Sequence, residues 1–332
     1  MQNTWNCTEN KLILYVEVSS MCNALCPQCD RYKPGTLTIH DHVTNTYWSL
    51  EKFKQVFTPD DLKLVKVFNF AGLYGDPATN PNLPSMVDYV IKNSSAWIII
   101  ETNGSIKTTE WWYNLGKIGG HRLKVQFDVD GSTQEIHEKY RVNTNLYKVL
   151  NNMLAFSKTG CETKVMTILF KHNEDDLSAI KELTKKYGAT EWDSTQSLRF
   201  YNTHDVYRYT DKQGNEKILE TPTVTKRSTS RLRRIRNFSN VKADTIVCPN
   251  AEANFLQVDS YGNVWPCCDI LEAHERKFEN VDYTDEINLL KHSLKDVMKS
   301  KWYSSFTTRY KQCDIWCSHK PDTDNNIEIL NL

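Results

Sequence analysis

Apolar residues recur along this chain in short runs separated by polar turns. Residues 12–18, Leu-Ile-Leu-Tyr-Val-Glu-Val, are rich in β-formers and predict a buried strand. Residues 64–70 predict a second strand, and residues 83–92 carry helical spacing. A third strand is predicted over 96–101, ending near the turn signal Asn103-Gly104. A fourth runs over 123–129 and stops at Asp130-Gly131. Residues 133–141 and 146–159 read as helical, 163–171 as a strand, 176–187 as a helix and 197–201 as a short strand.

Strands that alternate with helices in this way imply βα units and a parallel sheet. In barrel-type folds of that kind, the loops after the strands carry the chemistry. The alternation stops near residue 202. Residues 203–247 are polar and irregular, with Lys226, Arg227, Arg231, Arg233, Arg234 and Arg236 close together. Residues 254–259, a turn at 260–263 and residues 264–267 then predict a β-hairpin. Residues 293–306 suggest a helix. Neither an internal repeat nor a low-complexity tract is present.

Composition adds little to this pattern except through cysteine. The 332 residues are 39% hydrophobic and 25% charged, enough apolar material for a sizeable core. Lys plus Arg and Asp plus Glu both number 41, so overall charge selects neither nucleic acid nor membrane. No apolar run reaches the roughly 18 residues of a membrane span. Residues 1–10 are polar and lack a secretory layout, so a cytoplasmic protein is expected. In that compartment thiols stay reduced, and ten cysteines, several closely spaced, point to metal or catalysis.

Cys22, Cys26 and Cys29 form a CxxxCxxC segment directly after the first strand. Three thiolates within eight residues can converge on one face of a soft metal centre. Structural zinc sites and cubane clusters usually take four protein ligands. Three local ligands leave one metal position open to another molecule. A zinc knuckle completed by a distant Cys or His is the rival reading of the spacing alone.

The segment resembles the signature of the radical S-adenosylmethionine (SAM) superfamily. That resemblance implies a partial (β/α)6 TIM-like barrel, with a [4Fe-4S] cluster on Cys22, Cys26 and Cys29. SAM would chelate the open iron, and its reductive cleavage would give a 5′-deoxyadenosyl radical that abstracts hydrogen from carbon. Gln28 stands where the family usually places an aromatic residue near adenine, and can still offer backbone groups there. Gly75-Asp76-Pro77 is similar to the family's Gly-Gly-Glu-Pro segment, which binds the SAM amino group. Thr102-Asn103-Gly104 resembles the family's Thr-Asn-Gly beside the ribose and methionine ends. Asp128 stands at a serine position near the ribose hydroxyls, and Arg141 could pair with the cofactor carboxylate. For Arg141 a helix-surface position is the competing expectation. His137 is expected to be a surface or satisfied histidine.

Cys248, Cys267, Cys313 and Cys317 form a second group. By count they suit zinc or a four-iron cluster equally. Their arrangement resembles the twitch domain, a short form of the SPASM auxiliary-cluster domain, and implies one fully cysteine-ligated [4Fe-4S] cluster that could oxidise a substrate radical. Cys268 could replace Cys267 as a ligand. Cys7 and Cys161 read as ordinary thiols. The expected organisation is a partial barrel over 1–202, a basic irregular connector over 203–247 and a small hairpin-and-helix auxiliary domain over 248–332.

The six cations between Lys226 and Arg236 are a solvated loop or a contact for an anionic substrate. No RNA-binding aromatic motif accompanies them, which leaves nucleic acid possible but unsupported. About eleven residues precede the first strand, so no N-terminal leader-binding domain is expected. The resemblance implies a reductant such as flavodoxin or ferredoxin, and a small-molecule, nucleotide or peptide substrate. Three functions therefore compete: a radical oxidoreductase, a radical isomerase or epimerase without net oxidation, and a structural zinc protein that binds nucleic acid.

Overall fold

The structure is a computed structural model that describes residues 5, 8–197, 199–200, 205–223, 248–276, 281 and 283–304. Cys7, Cys313, Cys317 and the Lys226 to Arg236 stretch lie outside the described residues.

Six strands build the frame: β1 (Leu12–Val16), β2 (Val65–Phe70), β3 (Trp97–Thr102), β4 (Leu123–Asp128), β5 (Glu162–Leu169) and β6 (Glu191–Gln196). Each pairs in parallel with the next in chain order. The connecting helices include α1 (Leu50–Val56), α2 (Pro59–Leu62), α3 (Leu83–Asn93), α4 (Thr109–Gly119), α5 (Gln134–His137), α6 (Leu146–Ser157) and α7 (Leu177–Lys186). Parallel neighbours joined by helical crossovers form a curved, partial TIM-like barrel.

Strand alternation separates two environments. On β1, Leu12, Leu14 and Val16 are fully buried, while Ile13 and Tyr15 are partly exposed. On β3, Ile98, Ile100 and Thr102 are buried and Trp97, Ile99 and Glu101 are not. The buried set packs under the helices with Met86, Val87, Trp112, Leu115, Val149 and Met153. The other set faces the lumen. That face carries Tyr15 and Glu101, both partly exposed.

Three elements differ from the sequence expectation. The sixth strand is Glu191–Gln196, and residues 199–200 form a turn. Its sequence, Glu-Trp-Asp-Ser-Thr-Gln, lacks an apolar run because it is a half-exposed edge strand, placed by its ladder to β5. The helix expected over 133–141 is only the short α5. The chain reverses at Asn143 in the left-handed region (φ 63°), which turns Tyr140 and Arg141 inward. Within the expected irregular connector, β7 (Val206–Thr210) and β8 (Glu216–Glu220) form an antiparallel hairpin around Gly214. This hairpin leans on the cysteine loop: the Tyr207 hydroxyl donates to Pro27 O (3.1 Å) and accepts from Gly35 N (2.9 Å).

The late hairpin also takes an unexpected place. β9 (Phe255–Val258) and β10 (Val264–Trp265) pair antiparallel, as the sequence implies. β9 in turn pairs in parallel with β1, so the sheet order is β10-β9-β1-β2-β3-β4-β5-β6. The hairpin extends the barrel sheet instead of standing apart from it.

Candidate active site

β1 delivers the chain into a long loop that carries Cys22, Cys26 and Cys29. Backbone bonds fold this loop tightly: Cys29 N donates to Cys26 O (3.0 Å) and Leu25 N to Val142 O (2.9 Å). The three cysteines lie in one cluster with Ala24, Tyr140, Phe170, Phe200, Tyr209 and Leu219. None is in a disulfide. Burial pushes the Cys26 thiol up to about 12 and raises those of Cys22 and Cys29. Thiols in so apolar a place ionise only against a strong positive centre, which suits a soft metal cluster. Among the described residues, no three His, Cys, Asp or Glu side chains converge on a single metal ion. A four-iron cluster spreads its ligands wider than one ion does, and three thiols on one apolar loop fit that donor set.

Two polar side chains approach these sulfurs. Asn103 Nδ2 lies 3.7 Å from Cys22 Sγ, and Arg141 Nη1 lies 3.9 Å from Cys26 Sγ. Gln28 Oε1 accepts from Ser197 Oγ (2.7 Å), while its buried Nε2 has no partner.

Asp76 is a hub. Its carboxylate accepts from Thr102 Oγ1 (2.9 Å), Asn103 N (2.8 Å), Asn103 Nδ2 (2.7 Å) and Ala78 N (2.9 Å). Burial nonetheless raises its pKa. The bonds tie the loop after β2 to the loop after β3. Gly75 makes that loop possible, because a Cβ there would stand 1.9 Å from Ser19 O. Glu17, just past β1, secures the same loop by accepting from Tyr74 N (2.8 Å) and Gly75 N (3.0 Å). Burial holds the Glu17 carboxyl up at about 8.

Arg141 is buried, not on a helix surface. It lies between Asp130 (2.5 Å) and Asp128 (3.0 Å). Burial raises both carboxyls, that of Asp128 to about 7, and Arg141 opposes the rise. His137 is buried and satisfied. Its Nδ1 accepts from Asp130 N (3.2 Å), and its Nε2 lies 3.0 Å from Thr144 Oγ1. Burial drives its pKa to about 3, so it is a neutral structural histidine.

In the second group, Cys248 immediately precedes the helix Pro249–Glu252, which leads into β9. Cys267 follows β10, is buried, and stands at the N-cap of the helix Cys268–Glu275. Cys268 is partly exposed. Cys161 is buried and donates to Gly116 O and Gly120 O, as an ordinary thiol does.

Sequence reasoning missed two constellations. Arg199 and Arg276 converge on Asp30, the residue after Cys29, and Arg276 Nη2 also donates to Asp30 O (2.9 Å). They link the cysteine loop to the Cys268–Glu275 helix, and no local motif announces such a contact. Tyr15, Asn69 and Glu101 meet inside the barrel. Their signal was present: each is a polar residue at a lumen-facing position of an otherwise apolar strand.

The sequence matches the Radical SAM superfamily over residues 16–184, about half of the chain. No curated protein matches it. Among solved structures it is similar to native anSMEcpe with bound AdoMet, at 16% identity and TM-score 0.54, covering 94% of this chain and 92% of that one. It is similar also to Streptococcus suis SuiB, at 12% identity and TM-score 0.59, covering 92% of this chain and 72% of that one. SuiB bound to precursor peptide SuiA gives the same identity and TM-score, covering 94% and 70%.

Proposed function

The chain belongs to the radical SAM superfamily, and from that premise we propose that it is an enzyme holding a [4Fe-4S] cluster on Cys22, Cys26 and Cys29. SAM bound at that cluster supplies, on reduction, a 5′-deoxyadenosyl radical able to take hydrogen from a substrate carbon. The observation that carries this reading is that three disulfide-free cysteines, Cys26 buried and Cys22 and Cys29 partly buried, pack in one cluster beside the loop that Asp76 organises.

This chain's own residues do the positioning. Asp76 fixes Thr102 and Asn103, and Glu17 fixes the Tyr74–Gly75 backbone before it. Gln28 Nε2, buried and without a partner, offers a donor for an adenine acceptor. Asp128, paired with Arg141, would accept from the ribose hydroxyls, and Arg141 would pair with the cofactor carboxylate. The β7–β8 hairpin braces the cysteine loop through Tyr207 and packs Tyr209 and Leu219 in the same cluster.

Cys248 and Cys267, with Cys313 and Cys317, would hold an auxiliary cluster that removes an electron and makes the net reaction an oxidation. Residues 248–332 would then form the auxiliary unit and 1–202 the barrel. A flavodoxin or ferredoxin would reduce the first cluster. The structures of SuiB bound to precursor peptide SuiA and of anSMEcpe bound to a peptide support a peptide among the substrate classes.

The test is anaerobic reconstitution followed by SAM and dithionite. About eight irons per chain and release of 5′-deoxyadenosine are expected. Intact clusters without that nucleoside would overturn the reading. Stoichiometric zinc in colourless protein would instead revive the zinc alternative. A product lighter by two hydrogens identifies oxidation, and an unchanged mass identifies isomerisation.

A further inference from the structure

The barrel lumen holds a group that the cysteine loop does not use. Glu101 Oε1 accepts from Asn69 Nδ2 (2.7 Å) and Tyr15 Oη (3.3 Å). Neither bond goes to Oε2. Asn69 is buried, and its Oδ1 has no partner. Register puts the three on one face: Tyr15 pairs with Asn69, and Asn69 with Ile99, two residues before Glu101 on the same side of β3. Lys164, the cation whose charge acts on Glu101, pairs with Asp193 (3.6 Å) and makes no ion pair with Glu101 among the described residues.

A partly buried carboxylate that makes no ion pair carries a desolvation cost, and the buried, unpaired amide oxygen beside it adds to that cost. Both open atoms can accept; burial raises the Glu101 carboxyl, and a cation beside it would favour its charged form. The group that satisfies both is a donor-rich cation. Glu101 also lies one residue before Thr102 and Asn103, which meet Asp76 and Cys22. A substrate held here would therefore sit near the reacting end of the site.

We infer that Glu101 and Asn69 form a subsite that receives a primary ammonium group of the substrate. This inference rests on the radical SAM reading proposed above, and takes the lumen as the place where the substrate is held. The ammonium donates to Glu101 Oε2 and Asn69 Oδ1, while Tyr15 and Asn69 hold the carboxylate from the other side. A lysine side chain on a peptide and a free small amine share this chemistry.

The test is equilibrium binding to the reconstituted protein, followed by ligand-detected NMR with SAM present and no reductant. The probes are n-butylammonium, n-butanol and butyrate. Butylammonium should bind at least about tenfold more tightly than the other two, and Glu101→Gln should weaken it by a similar factor. Butanol or butyrate binding equally well to the wild type would overturn the inference without recourse to any variant. An unchanged affinity in a folded Glu101→Gln protein would overturn it too. Nα-acetyl-lysine methylamide separates the two sources: tighter binding than butylammonium selects a peptide, and equal or weaker binding a small amine. SAM affinity is measured in parallel. Its loss would break the radical reading, whereas loss of ammonium preference alone would break only this one.

Discussion

Arg141 Nη1 stands 3.9 Å from Cys26 Sγ while the same guanidinium spans Asp128 and Asp130. One cation thus serves two buried carboxylates and faces a thiol of the cysteine loop. Replacing it with Met leaves both carboxylates unpaired in an apolar setting. A loss of about 3–5 kcal/mol in unfolding free energy is expected, measured by urea denaturation of the metal-free protein. Lys keeps the charge without the fork and should recover only part of that loss.

Asp76 accepts from two backbone N–H groups, a hydroxyl and an amide. Asn in its place would turn a donor toward donors. Asp76→Asn is expected to cost about 1–3 kcal/mol. It should also weaken SAM binding in the reconstituted protein, read by equilibrium dialysis. An unchanged SAM affinity would separate the hub from the cofactor.

Gly75→Ala tests the same corner by volume. The added methyl would meet the Ser19 carbonyl at 1.9 Å, against backbone that cannot swing aside. Overpacking of this kind costs about 1–3 kcal/mol or more. A thermal melt of the variant should show that loss, and an unshifted melt would refute the close approach.

The first strand and the cysteine loop were legible because their signals are local: seven strand-forming residues, then a fixed cysteine spacing. The loops at Asp76 and Thr102 were legible as turns, but their mutual bonds join residues 26 positions apart and no pattern encodes them. The sixth strand was misplaced because an edge strand need not be apolar. The β7–β8 hairpin was hidden in a polar stretch, since of its strand residues only Tyr209 and Leu219 are buried. Arg141 could not be assigned from helical spacing because the helix ends before it.

Glu17 gives a pH signature. Burial raises its carboxyl from 4.5 to about 8, so the folded protein binds a proton there that the unfolded chain has released. Its contribution is fully present below pH 4.5 and declines as pH rises toward 8. The slope approaches about 1.4 kcal/mol per pH unit within that window. Glu17→Gln should remove this component. Urea melts of both proteins across the window should show stabilities that diverge with pH.

The thiols offer a chemical check. With Cys26 up at about 12, almost none of it is thiolate at pH 8. In iron-free protein, iodoacetamide should modify Cys26 more than about a hundredfold slower than a free thiol, read by mass spectrometry. Rapid alkylation would show that the loop opens without its metal.

β9 pairs with β1 across some 240 residues, Ile13 with Phe255 and Val16 with Val258. During synthesis, one edge of β1 must therefore stay unpaired until the last quarter of the chain has emerged. An open apolar strand edge recruits other strands, and pairing over so long a separation is slow. Expression yield should accordingly depend on how quickly residues 255–258 arrive. Slower translation before residue 255 or truncation there should send the barrel into aggregates, even though every cysteine of the first loop is already made.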